Sequence, residues 1–462
     1  MQTSKSWAVA AALASGVALA ASGSHAATFT PPTIHHIMVI DMENESYSAT
    51  FSKTSPAVYL NTVLLADGEL IPNYFGTSHV SLGNYIAQVS GQGPTNSANN
   101  DCINLASLSS PPVIGAFNNV LPGTNAPDQV NNPGQVVGDG CVFPAPNALT
   151  GAAQTIGDQI DIFFGLNNIQ PGKIHWRQYA EDMGNDVVRD HGDADLMGGT
   201  DCAHPAVGGA DLTNTAEPGD QYADRHNGFL YFHSVIDDQA RCDLHIVPLG
   251  SVLVGSHGAP DVFTGHLYQD LRSVNTTPAF MFVSPNLCNN GHDATCHGVN
   301  TEGTHVGGLV GADLWLKHWM PLIFNSPAYK SGDLLVVLTF DEASVADARA
   351  CPNADQSACN APVGPNLTNY GYSPLLGLFH VQNPPTHPYV YPGGGQVGAV
   401  VFNAKHVQPG SVNATGVYNH FSALRSYEDL LGINVFGDDG KGHLGNAARS
   451  GVVSFGADVF NK

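Results

Sequence analysis

Apolar residues fall into two patterns along this chain. In the first they run consecutively, as in Ile37–Met38–Val39–Ile40, Pro278–Ala279–Phe280–Met281–Phe282–Val283, Leu334–Leu335–Val336–Val337–Leu338–Thr339–Phe340 and Ala399–Val400–Val401–Phe402. Such runs, rich in β-branched side chains, predict strands buried on both faces. Lys173–Tyr179 reads as a further strand leading to Glu181–Asp182. In the second pattern apolar positions recur at helical spacing. Ile156, Ile160, Phe163 and Phe164 do so, with Gly157 a weak point near the start, and so do Val306, Leu309, Val310, Leu314, Leu316, Trp319, Met320 and Ile323. Phe229–Asp238 suits a helix, Phe421–Leu431 is one closed by Gly432, and Asn84–Ser90 is a short one ending at Gly91. Strand, loop and helix alternate without internal repeats, which predicts an α/β fold: a mostly parallel central sheet flanked by helices on both faces. Residues 92–150 are rich in Asn, Pro, Gly and Ser and read as a long loop insertion, and Gly437–Phe455 reads as loops with a short strand.

The chemistry-bearing residues follow the strands. Glu43–Asn44 comes after the first, Asp341–Glu342 after the Leu334 run, Asn286 and then His292–Asp293 after the Pro278 run, and His420 stands just before a helix. Open α/β sheets bind ligands at the carboxyl ends of their strands. Acidic pairs there are costly to bury unless a cation or hydrogen bonds compensate them. Between these ends lies Thr77–Ser78–His79–Val80–Ser81–Leu82–Gly83–Asn84–Tyr85, a hydroxyl-rich turn opening a helix. Ser78 or Ser81 there either caps the helix or, with a metal lowering its pKa, acts as a nucleophile.

Composition narrows the setting. Lys5, the apolar stretch Trp7–Ala21 and Ser24–His25–Ala26 read as a secretory signal peptide, residues 1–26, cut before Ala27. The mature chain, 27–462, is expected to be a single domain, secreted or periplasmic, with no transmembrane segment. A net charge of −23 with only 16 Lys plus Arg makes nucleic acid an unsuitable partner. Eight cysteines in an exported chain predict disulfides, and neighbour pairing gives Cys102–Cys141, Cys202–Cys242, Cys288–Cys296 and Cys351–Cys359 as loop staples.

Six ordered stretches, Met42–Tyr47, His79–Tyr85, Ser284–Asp293, Ala312–Leu316, Thr339–Ala343 and Tyr418–His420, resemble the bacterial phosphoesterase family. That family holds secreted acid phosphatases and phospholipases C, and its fold is similar to the alkaline phosphatase superfamily. The resemblance runs from about Ile34 to Gly432. It implies that Glu43, Asn44, Asp341 and Glu342 bind the catalytic metal and that Ser81 is the nucleophile. It further implies that His292 and His420 serve as acid–base or binding groups, with His79, His226, Asn286 and Asp293 as secondary substrate-binding candidates. The chain departs from the family at Val80 and Gly83, where prolines are usual, and at Asn290, where an Asp is common. The last departure removes one ligand and favours a single cation. Oxygen donors suit Ca²⁺, Mg²⁺ or Mn²⁺, while added histidines would admit Zn²⁺ or Fe.

The expected activity is therefore that of a secreted acid phosphatase hydrolysing small phosphate monoesters through a phosphoserine. A phospholipase C releasing a phospholipid head group needs the same core residues and is the alternative. The monoesterase is preferred because no amphipathic membrane-docking helix is evident. A secreted Ca²⁺-binding adhesion or binding protein would explain the disulfides, loops and charge, but not a serine turn set between acidic strand ends.

Overall fold

The computed structural model describes residues 29–102, 117–122, 132–145, 153–186, 190–209, 213, 215–344, 365–366, 370–373, 378–381 and 393–462. The expected signal peptide and the Cys351–Cys359 pair lie outside these residues. From Pro31 to Lys462 the chain forms one compact unit.

Eight strands build the main sheet: β1 (His36–Met42), β2 (Glu69–Ile71), β3 (Trp176–Ala180), β4 (Ile246–Pro248), β5 (Phe280–Ser284), β6 (Leu334–Phe340), β7 (Ala399–Phe402) and β8 (Ser411–Val412). Their order is β8-β2-β7-β6-β1-β5-β3-β4. From β6 through β1, β5 and β3 to β4 the strands are parallel, whereas β7 is antiparallel to β6 and β2. Every residue of β1, β5 and β6 is buried. Since side chains alternate between faces along a strand, complete burial means that both faces of the sheet centre are covered. The apolar runs seen in the sequence are therefore the middle of a mostly parallel sheet, as expected.

Four helices matter for the site: α1 (Ser81–Ser90), α2 (Ile156–Leu166), α3 (Gly308–Asn325) and α4 (His420–Leu430). The end of α1 is fixed by Gly91 at φ +70°, where a Cβ would lie 2.2 Å from the Leu444 carbonyl oxygen. The start of α2 is fixed by a reciprocal pair of bonds between Thr155 and Asp158. Three disulfides close as expected, Cys102–Cys141, Cys202–Cys242 and Cys288–Cys296.

Two expectations change. Phe229–Asp238 is not one helix but a 3₁₀ turn, Gly228–Tyr231, followed by a helical turn, His233–Ile236. Phe229, Leu230, Tyr231 and Phe232 are all buried, so the first half of the segment is enclosed all round and has no solvent face for an amphipathic helix to present, whereas Asp237 and Asp238 at its end are exposed. Gly437–Phe455 contains no strand among the described residues. Its backbone N–H groups are taken by Glu428, Asp438 and the Gly91 carbonyl, and it forms the 3₁₀ turn Gly445–Ala448 instead. The strands β2, β4 and β8 are too short to give a periodic signal.

Gly157 shows why one apparent defect is retained. Alanine is preferred to glycine inside a helix by about 1 kcal/mol. A Cβ at Gly157, however, would lie 2.7 Å from the ring of Trp176, which is fully buried and has no room to withdraw. Overpacking of this kind costs about 1–3 kcal/mol, so the clash outweighs the propensity. Gly157→Ala is expected to lower the calorimetric Tm, and a raised Tm would contradict this packing.

Candidate active site

Helix α1 is buried along its whole length, so its polar side chains must find partners inside the protein. Ser81, Tyr85 and Gln88 are spaced to share one helical face. Opposite them stand Asp41 and Glu43, two residues apart at the end of β1. The Ser81 hydroxyl donates to Glu43 Oε2 at 2.9 Å, the Tyr85 hydroxyl to Glu43 Oε1 at 2.6 Å, and the Gln88 amide to Asp41 Oδ2 at 2.6 Å. Ser78 is placed differently. Its hydroxyl donates to Asn99 at 3.1 Å, and Gly83 lies so close that a Cβ there would be 2.3 Å from it. Of the two serines, Ser81 alone faces the carboxylates of β1.

The chain turns sharply after Glu43. Asn44 adopts φ +54°, a left-handed conformation that asparagine tolerates, and its N–H donates to Asp341 Oδ1 at 2.9 Å. The side chain of Asn44 is half-buried. Asp341 lies at the end of β6, and its carbonyl accepts from His420 Nε2 at 2.7 Å, while His420 Nδ1 accepts from the Tyr74 hydroxyl at 3.2 Å. Both nitrogens of His420 are thus engaged within the protein. In this arrangement His420 holds the Asp341 backbone in place. Ser81 lies close enough to Asp341 to stabilise its carboxylate, yet Asp341 Oδ2 is buried and receives no hydrogen bond. Glu342 Oε2 is bonded to His79 Nδ1, so Glu342, like Glu43, is an expected ligand already held by other side chains.

The loop after β5 closes the other side. The Asn290 carbonyl accepts from the Glu43 N–H at 2.9 Å. His226 stacks on Tyr85 with ring centroids 5.3 Å apart and brings Nε2 to 3.2 Å from Glu43 Oε1. His292 donates from Nδ1 to Asp293 Oδ1 at 2.6 Å, and Asp293 Oδ2 accepts from the Ala216 N–H at 2.6 Å. Asp293 is therefore a partner of His292, with both of its oxygens engaged within the protein. Asn286 is not turned toward the cluster. Its side-chain oxygen accepts from the N–H groups of Cys288 and Asn289, and its amide donates to Asp182 at 2.5 Å.

Burial pushes the carboxyls of Asp41, Glu43, Asp341 and Glu342 well above the usual range, and neighbouring carboxylates push them further. Burial also holds the histidines neutral: His79 is lowered to about 3, His420 to about 4, and His226 well below its ordinary value. The histidines among the carboxylates thus supply no positive charge. The oxygen donors of Glu43, Asp341 and Ser81, with the orphaned Oδ2 of Asp341, fit a hard divalent cation. The cluster is nonetheless open. Among the described residues, the acidic and histidine side chains whose ligand atoms all lie within 4.8 Å of one another are Asp195, Asp201 and His266, a different group, in which Asp195 and His266 are already bonded at 2.9 Å.

Several residues of the site carried no expectation. Tyr85 and Gln88 were open to inference from their spacing to Ser81. Asp101 was not: it accepts the Leu82 N–H at 2.9 Å, with Arg225 Nε 3.8 Å from its other oxygen, and lies next to the stapled Cys102. Nothing in the local sequence links it to Ser81.

These shifts set a pH dependence. A carboxyl whose folded pKa is raised stabilises the fold while protonated, and this contribution is lost as pH rises through the folded value. Glu181 and Asp201 are each pushed up to about 8, by burial first and by an adjacent Asp second. Above pH 7 the buried histidines are neutral in both states and contribute no slope. The metal-free protein is therefore expected to lose thermal stability between about pH 7 and 9. A divalent cation taken up by the Glu43–Asp341 cluster is expected to raise the Tm by binding the folded state, leaving the slope set by Glu181 and Asp201 in place. Calorimetry across this range, with chelator and with Mg²⁺ or Ca²⁺, checks both statements.

No family model and no curated protein matches the chain. Among solved structures it is similar to a protein in the alkaline phosphatase superfamily from Vibrio parahaemolyticus, at 12% identity over 87% of this chain and 67% of that one, with a TM-score of 0.37. It is also similar to the PsFucS1 sulfatase from Pseudoalteromonas sp., at 11% identity over 88% and 70% with a TM-score of 0.37. The phosphonate monoester hydrolase of Agrobacterium radiobacter is similar at 11% identity over 86% and 73%, with a TM-score of 0.31. At these values none of the three assigns a chemistry to this chain.

Proposed function

We propose that the chain is a metal-dependent phosphatase of the acid phosphatase type, hydrolysing phosphate monoesters through Ser81. The observation that carries this reading is the Ser81 hydroxyl, at the first turn of a buried helix, donating to Glu43 at 2.9 Å with Asp341 beside it. A nucleophile already hydrogen-bonded to a carboxylate has a path for its proton. The helix N-terminus adds a partial positive charge where the phosphoryl oxygens would lie.

Glu43, Asn44 and Asp341 are the residues that would hold the cation, with Glu342 joining if His79 releases it. When bound, a divalent cation offsets the charge of the phosphoryl group and lowers the pKa of the serine. In the first step the Ser81 oxygen bonds to phosphorus, its proton passes to Glu43, and the bond to the ester oxygen breaks. His292, oriented by Asp293 and still partly open to solvent, protonates the departing alcohol. Water then attacks the phosphoserine and releases phosphate. The three described disulfides support an exported protein. No helix among the described residues is long and apolar enough to cross a membrane.

Ser81→Ala is expected to lower turnover of p-nitrophenyl phosphate by roughly a thousandfold or more while leaving the circular dichroism and Tm near those of the parent. Chelation should remove activity and a hard divalent cation restore it. Faster hydrolysis of p-nitrophenyl phosphorylcholine than of p-nitrophenyl phosphate would move the assignment to a phospholipase C. Absence of any ester hydrolysis after metal restoration would favour a binding protein.

A further inference from the structure

A second buried polar network lies behind the loop that follows β5, and none of its roots belongs to the catalytic set. Glu181 directly follows β3, and its N–H donates to the carbonyl of Ser284, the last residue of β5, at 3.0 Å. Its Oε2 accepts two donors from the loop, the Asn286 N–H and the Asn289 side-chain amide, each at 3.0 Å. Asp182 stands at φ +58°, a conformation rare outside glycine, and Oδ2 of its side chain accepts the Asn286 amide at 2.5 Å. The far side of Asn289 is held too, since its oxygen accepts the Thr301 N–H at 2.9 Å.

The other end of the loop meets the site. Asn290 accepts the Glu43 N–H, and its side-chain oxygen accepts the N–H of His292 at 2.9 Å. At Gly291, φ +109°, a Cβ would lie 2.9 Å from the Glu43 carbonyl, so loop and strand end are pressed backbone to backbone. Between these two ends the Cys288–Cys296 bridge limits the loop's freedom. A displacement at Glu181 has few ways to be absorbed before it reaches Glu43.

We propose that Glu181 and Asp182 are positioning residues, which fix loop Asn286–Asp293 and thereby set where Glu43 and His292 stand relative to Ser81. This rests on the reading of Ser81 as nucleophile, though its structural half does not. Outer partners of this kind change affinity or rate by about ten- to a hundredfold without touching the substrate.

The test compares Glu181→Ala, Glu181→Gln and Asn289→Ala with the parent. Glu181→Ala removes the acceptor of two loop donors, so amide hydrogen exchange at Glu43 should accelerate by about tenfold or more. Its kcat for p-nitrophenyl phosphate should fall by about tenfold with KM little changed. Glu181→Gln keeps an oxygen for both donors and should stay within about threefold of the parent in both readouts. Asn289→Ala removes one donor and should fall between them, and it carries the test if Glu181→Ala does not fold. A lowered Tm with unchanged exchange at Glu43 and unchanged kcat would overturn the proposal. If exchange accelerates while the parent hydrolyses no ester, the reading of Ser81 fails and the coupling of Glu181 to Glu43 stands.

Discussion

Asp41 and Glu43 leave β1 on the side where α1 packs, and neither carboxylate reaches solvent. An isolated buried carboxylate is far too costly to keep, so each must find donors or hold a proton. The donors come from one stripe of α1: Ser81, Tyr85 and Gln88. Turning the helix by one residue would rotate that stripe by about 100° and leave hydroxyls, amide and carboxylates without partners. Helix register and strand register therefore fix each other. Two glycines allow the helix to sit there: Gly83 admits the Ser78 side chain, and Gly91 ends the helix against the Leu444 carbonyl.

Parallel topology then gathers the rest. β1 lies between β6 and β5, with Met42 opposite Phe340 and Ile40 opposite Val283. The residues just beyond these strands must converge at one edge of the sheet. Asp341 bonds to the Asn44 N–H, and the loop after β5 bonds to the Glu43 N–H. Residues some three hundred apart in sequence thus share hydrogen bonds because three adjacent strands end together. His420 adds a brace by holding the Asp341 carbonyl from the first turn of α4.

Much of this is legible in the amino-acid sequence, and the limits have physical causes. The consecutive apolar runs announced β1, β5, β6 and β7 because burial on both faces erases alternation, and the acidic pairs after them lie together at the edge where β1 and β6 end. The polar stripe on α1 was present in the spacing of Ser81, Tyr85 and Gln88. Polar residues on a helix ordinarily mean solvent, however, and only the packing shows that this stripe faces carboxylates. Asn286 and Asp293 follow a strand just as Glu43 and Asp341 do, yet the first completes a loop and the second orients His292. A residue type at a strand end states what it can bind, not which neighbour reaches it first. Asp101 could not be linked to Ser81 at all, since its place depends on a disulfide between residues 39 apart.

The electrostatics of the cluster tie its structure to its chemistry. Glu43 accepts hydrogen bonds from the Ser81 and Tyr85 hydroxyls, an arrangement that favours the ionised carboxylate, while burial and the neighbouring Asp341 favour the protonated one. The nearby histidines do not resolve this conflict, because burial keeps them uncharged. Arg225 helps from a distance, lowering Glu43 slightly, but its Nε faces Asp101. For Glu43 to receive the serine proton it must be ionised at the moment of attack, and for Ser81 to attack it must be near enough to share that proton. A divalent cation, were it held among these oxygens, would meet both demands, since it would favour the carboxylate without consuming the serine. The fold thus places the Ser81 hydroxyl among carboxyls that burial and one another's charge hold well above their usual range.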